Sequence, residues 1–257
     1  MNVSHALLLF IAAFIAGTLN SVAGGGSFIA FPTLMFTGVP PINANATNTV
    51  ALWPGTLASA TAYRSELRGQ RRLLLIMAGP SLVGGLLGAL LLLRTPEPVF
   101  LRLLPYLLLL ATLLFAFGGQ LTGRLRSRLG KVSGPAWIPV AGAALVQLVI
   151  ATYGGFFGGG IGILMLATLA TLGMEDVHAM NGVKTVLASL INGVAVVTFI
   201  IAGAIYWPQA AIMIVGAVLG GYGGASTARR IDPLLVRRFV IAVGFALTAY
   251  FFVRYRP

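Results

Sequence analysis

The sequence predicts an all-α polytopic membrane bundle of about eight spans in two repeats, each with a Gly-broken helix or re-entrant half-helix. Three observations lead there. The 257 residues are 58% hydrophobic and only 9% charged, with a mean hydropathy of +0.95, whereas a soluble domain is typically about 25% charged. Apolar runs long enough to cross a bilayer recur along the chain. The two halves of the chain also match at one constant spacing.

The charge balance needs a membrane reading too. Seventeen bases against five acids give a net charge of +12, which in a soluble chain points to nucleic acid. Here the bases cluster in gaps between apolar runs: Arg64, Arg68, Arg71 and Arg72 in one, Arg124, Arg126, Arg128 and Lys131 in another. That is the signature of cytoplasmic loops, so lipid bilayer is the expected partner and nucleic acid is not. The absence of cysteine excludes disulfides, thiolate catalysis and cysteine metal sites.

A helix needs about 20 apolar residues to cross the hydrocarbon core. Such runs lie at roughly 4–23, 44–63, 73–93, 99–118, 137–157, 177–202, 208–228 and 234–253. The first has no Lys or Arg between Met1 and His5, so it reads as a retained span and not as a secretory signal. Two further pieces, roughly 28–37 and 163–172, are too short to cross. They read as half-helices.

Adding 136 to a first-half position lands on its match. Gly24 falls on Gly160, Gly26 on Gly162, Asn45 on Asn181, Thr49 on Thr185, Met77 on Met213 and Gly88 on Gly224. Shared Gly, Asn, Thr and Met in one register argue for duplication, with a first membrane repeat at 1–130 and a second at 136–257. An even number of crossings per unit gives both the same orientation, and an odd number inverts the second. The expected topology has eight spans with the N-terminus inside, which makes most basic loops cytoplasmic, although the loop holding Arg229, Arg230, Arg237 and Arg238 then falls outside, against the charge rule.

Two constellations are suited to chemistry. The first is the pair of glycine runs, Gly24-Gly25-Gly26-Ser27 after span one and Gly154-Gly155 with Gly158-Gly159-Gly160-Ile161-Gly162 at the end of span five. Such runs release backbone groups that hydrocarbon cannot satisfy, so a break survives only when buried or lining a polar cavity. Where a half-helix starts, free N–H groups and the helix dipole favour an anion, and Ser27 is suited to capping the start. The competing reading is close helix packing, which Gly84/Gly88 and Gly216/Gly220/Gly224, four apart, do exemplify.

The second is a polar stripe entering spans two and six: Asn43, Asn45, Thr47, Asn48 and Thr49 in one unit, His178, Asn181, Lys184 and Thr185 in the other. Lys184 lies about seven residues into its run, and an intramembrane lysine costs about 3 kcal/mol or more unless it faces a cavity or partner. Snorkelling to the interface is its alternative. No acid sits mid-span: Glu66, Glu97 and Asp232 lie in or beside loops, and Glu175 and Asp176 precede span six. This favours an anion as cargo. Coupling then either uses Glu175, Asp176 or His178 or is not built on an acid. Trp53, Trp137, Tyr206 and Trp207 read as interfacial belt or packing.

Enzymatic motifs are incomplete. Ile29 stands where a G-x-S-x-G elbow around Ser27 needs glycine, and Gly182-Val183-Lys184-Thr185 lacks the glycine before lysine of a P-loop. Two distant histidines give no metal site. No enzyme, cofactor or metal is expected.

The stretch Ala16-Gly17-Thr18-Leu19-Asn20-Ser21-Val22-Ala23-Gly24-Gly25-Gly26-Ser27, with Pro32 and the Asn/Thr-rich start of span two, resembles the sulfite exporter TauE/SafE family. Gly154 to Gly162 and the Gly84-Gly85-Leu86-Leu87-Gly88-Ala89 pattern are similar to that family's other signatures. The resemblance implies a multi-pass inner-membrane protein of seven to nine helices that moves sulfur-containing anions such as sulfite or organosulfonates, and it does not specify one cargo. The expectation is therefore a secondary transporter of small anions. A passive anion channel and a non-transporting sensor or assembly module are its rivals, and a homo-oligomer stays open. The residues expected to hold the anion are Gly24, Gly25, Gly26, Ser27, Asn45, Asn48, Thr49, Gly160, Gly162, Asn181, Lys184 and Thr185.

Overall fold

The computed structural model describes residues 2–22, 25–63, 67, 69–129, 137–227 and 233–255. Among these the secondary structure is all helical: α1 (Val3–Val22), α2 (Ser27–Phe36), α3 (Pro41–Ala62), α4 (Arg71–Arg94), α5 (Glu97–Leu129), α6 (Trp137–Phe156), α7 (Ile161–Thr171), α8 (Val177–Ile201), α9 (Trp207–Thr227) and α10 (Pro233–Arg254). The two short helices α2 and α7 fall where the half-helices were expected. Pro41 starts α3, a position where its missing N–H has no partner to lose. Asp176 caps α8, its carboxylate accepting from His178 N at 2.8 Å and Ala179 N at 3.3 Å.

Apolar side chains cover the outside as well as the core. Val3, Leu75, Ile201, Tyr222 and Val253 are 71–87% exposed, while Asn45, Asn48, Ser81, Thr112 and Gln147 are buried. A helix apolar all round belongs in hydrocarbon. By length and hydropathy five helices among the described residues are fit to cross a membrane: α1, α4, α5, α8 and α10. The expected count of eight is not reached on that measure. In α3 the run Asn43, Asn45, Thr47, Asn48, Thr49 lowers the hydropathy.

The helices interlock across the two halves of the sequence. α1 packs on α9, and α4 packs on α6. Both seams are built on glycine. A Cβ at Gly220 would collide with the carbonyl of Phe14, and one at Gly88 with the carbonyl of Thr152. Gly84 and Gly216 sit equally close to the facing backbone, so the packing role expected for these four glycines is what the fold uses. Gly155 belongs with them. Together with Gly154 it lies inside α6, and a Cβ on it would strike the carbonyl of Gly85. These two glycines are thus not part of the helix break, which starts only after Phe156.

Contacts also set helix directions. Along α1 and α9 they advance together, Gly216 near Phe10, Gly220 near Phe14 and Gly221 near Gly17, so the two run parallel. The α4/α6 pair is likewise parallel, with Gln147 Nε2 donating to Ser81 Oγ at 2.9 Å and Gly84 and Gly88 following against Leu148 and Thr152. By contrast α3 and α8 run antiparallel: Trp53 meets Gly193 while Tyr63 meets Gly182. So do α5 and α10, where Ala116 meets Arg237, Thr112 meets Gly244 and Tyr106 meets Phe252. Helices that start 136 residues apart, α3 and α8 or α5 and α10, thus do not share one orientation. The reason is local. α2 turns back on α1, with Gly26 over Ala16, and α3 turns back on α2, bringing Asn48 to Ser27. Each short helix adds one reversal that a count of full spans omits.

Candidate functional site

Two interrupted helices meet at one small cavity. Ser27, Phe28 and Phe31 from α2, Asn45 from α3, Leu108 from α5, and Phe157 and Gly159 from the α6–α7 connection line it. Its volume is about 10 Å³, room for about one water molecule. The first break and the second therefore border the same space.

The two breaks are held differently. Gly26 is the residue before α2, and its N–H donates to Asn20 Oδ1 at 2.8 Å. Ser27 is the first residue of α2 and does not cap it. Instead its hydroxyl accepts from Asn48 Nδ2 at 3.1 Å. The expected serine cap fails because Ser27 already lies inside the helix, and the N–H groups it would cap, those of Ile29 and Ala30, donate to the carbonyl of Gly26. Asn48 Oδ1, buried beside Ser27, has no partner among the described residues. Asn45 Nδ2 donates to the carbonyl of Phe156 at 2.9 Å. That carbonyl lies in the last turn of α6, where no helical N–H follows to bond it, and this bond ties α3 to the second break.

At the second break Gly160 precedes α7 with φ +79°, and Gly158 has φ +82°. A side chain in that left-handed region costs roughly 1–2 kcal/mol, so glycine permits the sharp restart. The N–H groups of Ile161 and Gly162 donate to nothing among the described residues. Over this start lies the one lysine of the membrane interior. A Cβ at Gly162 would stand 3.2 Å from Lys184 Cδ, and Lys184 Nζ donates to Asn181 Oδ1 at 2.8 Å. The lysine is half-buried and rests against α7. It does not extend freely toward an interface.

The expected residues thus sort into groups. Ser27, Asn45 and Asn48 are together, and Gly160, Gly162, Asn181 and Lys184 form a second cluster at the start of α7. Gly25 is packed against Val240 and Phe115 and faces no open space. Thr49 and Thr185 turn their hydroxyls onto their own helices, to Asn45 O at 2.9 Å and Asn181 O at 2.7 Å. Gly24 lies outside the described residues. Glu175, Asp176 and His178 are exposed on the approach to α8, away from the cavity. Sequence reasoning missed Asn20 as a support of the first break. An Asn within an apolar run six residues before Gly26 was the available signal. It also missed Phe28, Phe31, Phe157 and Leu108, which no pattern separates from ordinary core.

An all-helical architecture with apolar outer faces, and interrupted helices around a small, mostly apolar cavity, is that of a multi-pass membrane protein of the transporter class. Residues 9–251 match the family described as Sulfite exporter TauE/SafE, and the chain belongs to that family. It is 29% identical to a "Probable membrane transporter protein" of Haemophilus influenzae, over 94% of this chain and 92% of the relative. A Sinorhizobium relative, "Probable membrane transporter protein ORF9", is 30% identical over 93% and 90%. "Probable membrane transporter protein YfcA" of Escherichia coli K12 is 28% identical over 94% and 87%. No solved structure matches the chain.

Proposed function

We propose that this membrane transporter is a secondary carrier of small anions, sulfur-containing ones such as sulfite or a sulfonate, working by alternating access about its two helix breaks. The observation that carries the reading is the convergence of both breaks on one cavity, with Lys184 laid over the second. An anion passing from the cavity to the start of α7 meets the N–H groups of Ile161 and Gly162, the positive end of that helix, and a lysine bonded only to a neutral amide among the described partners. At an effective dielectric near 20, a unit charge about 4 Å from an ammonium gains about 4 kcal/mol, enough to offset part of the anion's dehydration. Ser27, Asn45 and Asn48 complete the polar side.

Duplication with inversion supports alternating access. Pro41 and Val177, Arg71 and Trp207, and Glu97 and Pro233 begin corresponding helices, each 136 residues apart. The partners exchange as an inverted pair requires, α1 with α9 against α6 with α4. Units 1–130 and 136–257 are then gates related by a pseudo-two-fold axis in the membrane plane around one site. Inversion also removes the charge conflict. The ends of α3, α5 and α9 and the starts of α4, α6 and α10 share a face, and the sequence there holds twelve of the seventeen bases, against Arg94, Arg102, Arg254 and Arg256 opposite. The basic face is cytoplasmic in this reading, and the N-terminus lies outside.

The test is flux in proteoliposomes of the full chain with sulfite, sulfate, thiosulfate, taurine and sulfoacetate. Saturable flux with counterflow is expected of a carrier. Flux that never saturates would assign a channel. Lys184→Met is expected to weaken anion affinity at least tenfold, and unchanged affinity removes the lysine from the site.

A further inference from the structure

The cavity's polar groups are few. Ser27, Asn45 and the backbone at Gly159 provide them, while Phe28, Phe31, Leu108 and Phe157 form the remainder of the wall. Phe28, Phe31 and Leu108 are each at most 4% exposed and fixed by the core. Phe28 stands edge-on to Phe115 at 5.8 Å. Phe157 is different. It is half-buried, follows the last residue of α6 and precedes Gly158, whose φ of +82° lets the chain pivot. Its ring lies on Gly159, where a Cβ would come within 3.0 Å of it, and stands edge-on to Phe31 at 6.0 Å. The ring therefore fills the space that any ligand larger than water would need.

An inorganic oxyanion presents acceptor oxygens in every direction. Seated here it would turn some of them onto three phenyl rings and a leucine, losing hydration with no donor in return. A charged head on the polar groups with a hydrocarbon tail against the rings leaves no such group unpaired, which is how mixed pockets orient their ligands. Resting on the anion-carrier reading above, we infer that Phe157 is a specificity-determining residue. Its ring is displaced by, and then packs on, a short hydrocarbon tail, so that the site prefers an organic anion with a nonpolar end over a bare oxyanion.

The experiment is ligand-induced stabilisation of the purified full chain, titrated with sulfate and with methane-, ethane-, propane- and butanesulfonate. For the wild type, affinity is expected to rise about fourfold per added methylene up to a limiting length, with sulfate weakest. In Phe157→Ala that limit is expected to move up by at least two carbons. Phe157→Leu, which keeps an apolar side chain should the alanine variant fail to fold, is expected to move it by about one. Two outcomes overturn the inference alone: sulfonates bind with no dependence on chain length or no better than sulfate, or the limit stays put in both variants. Binding of no anion at all to the wild type would overturn the carrier reading and this inference with it.

Discussion

Replacing Asn45 tests whether the two breaks are mechanically joined. Asn45 is 2% exposed, and its amide donates to the Phe156 carbonyl at 2.9 Å. Removing the donor leaves a carbonyl at a helix end with no helical N–H to take it. In a soluble core that costs about 1–3 kcal/mol. Interhelical hydrogen bonds in membranes average about 0.6 kcal/mol and reach about 1.7, because the unfolded reference also finds partners in the bilayer. Two substitutions separate the contributions. Asn45→Ala opens a gap next to the cavity, so that a water can reach the carbonyl, and the expected loss is about 0.6 kcal/mol, at the membrane average. Asn45→Leu fills the gap and keeps water out, and the expected loss approaches about 1.7 kcal/mol, the upper end of that range. At about 2–4 °C per kcal/mol for chains somewhat shorter than this one, thermal unfolding followed by tryptophan fluorescence resolves the two. Thr49→Val is the control, since its hydroxyl bonds within its own helix, and it should lose less than about 0.5 kcal/mol, as substitutions away from special features do. If Asn45→Leu is no less stable than Asn45→Ala, or matches the control, the bond is not what joins α3 to the end of α6.

Three further predictions follow from the packing and the orientation. Gly88→Val drives a side chain into the backbone of Thr152 and Phe156, which cannot yield as a rotamer does. The expected cost is at the upper end of the about 1–3 kcal/mol typical of overpacking, read as loss of the monodisperse peak in size-exclusion chromatography, whereas Gly142→Val meets nothing within 4 Å and should be silent. Because the chain has no cysteine, His5→Cys and Gly69→Cys give clean topology reporters. An impermeant maleimide applied to intact cells should label position 5 and spare position 69, and the reverse pattern would place the N-terminus inside. On the N-terminal face, Asn43 Nδ2 donates to Ala204 O at 2.8 Å and Tyr206 N to Thr47 Oγ1 at 3.1 Å, while the matching second-half positions are Ala179 and Val183. Asn43→Ala with Thr47→Val should loosen that face, speeding maleimide labelling of a cysteine at Tyr206 at least threefold. An unchanged rate shows that the bonds do not hold it closed.

Helix positions were legible along the chain because hydrocarbon imposes one strong rule, and the apolar runs at 73–93 and 234–253 differ by only a residue or two from α4 and α10. Half-helices were legible for the same reason, being apolar yet too short. The glycine roles were only partly so. Gly154, Gly155 and Gly160 look alike in sequence, but two sit against a facing helix and the third bends the backbone to φ +79°. Nothing local separates those uses, because one depends on what lies across an interface and the other on a turn angle.

Membrane class and helix content were thus written in the sequence itself, through hydropathy, charge placement and a spacing of 136. The tertiary structure alone decided that Asn20 and not Ser27 bonds the N–H at the first break, that α3 and α8, like α5 and α10, run antiparallel, and that phenyl rings close the cavity. Helix direction and the closing of the cavity depend on groups far apart in the sequence, and even the Asn20 bond, six residues long, forms only because α2 turns back on α1. Burial free energy along one helix is additive and local, whereas a hydrogen bond or a ring contact exists only when two distant segments are brought within a few ångströms.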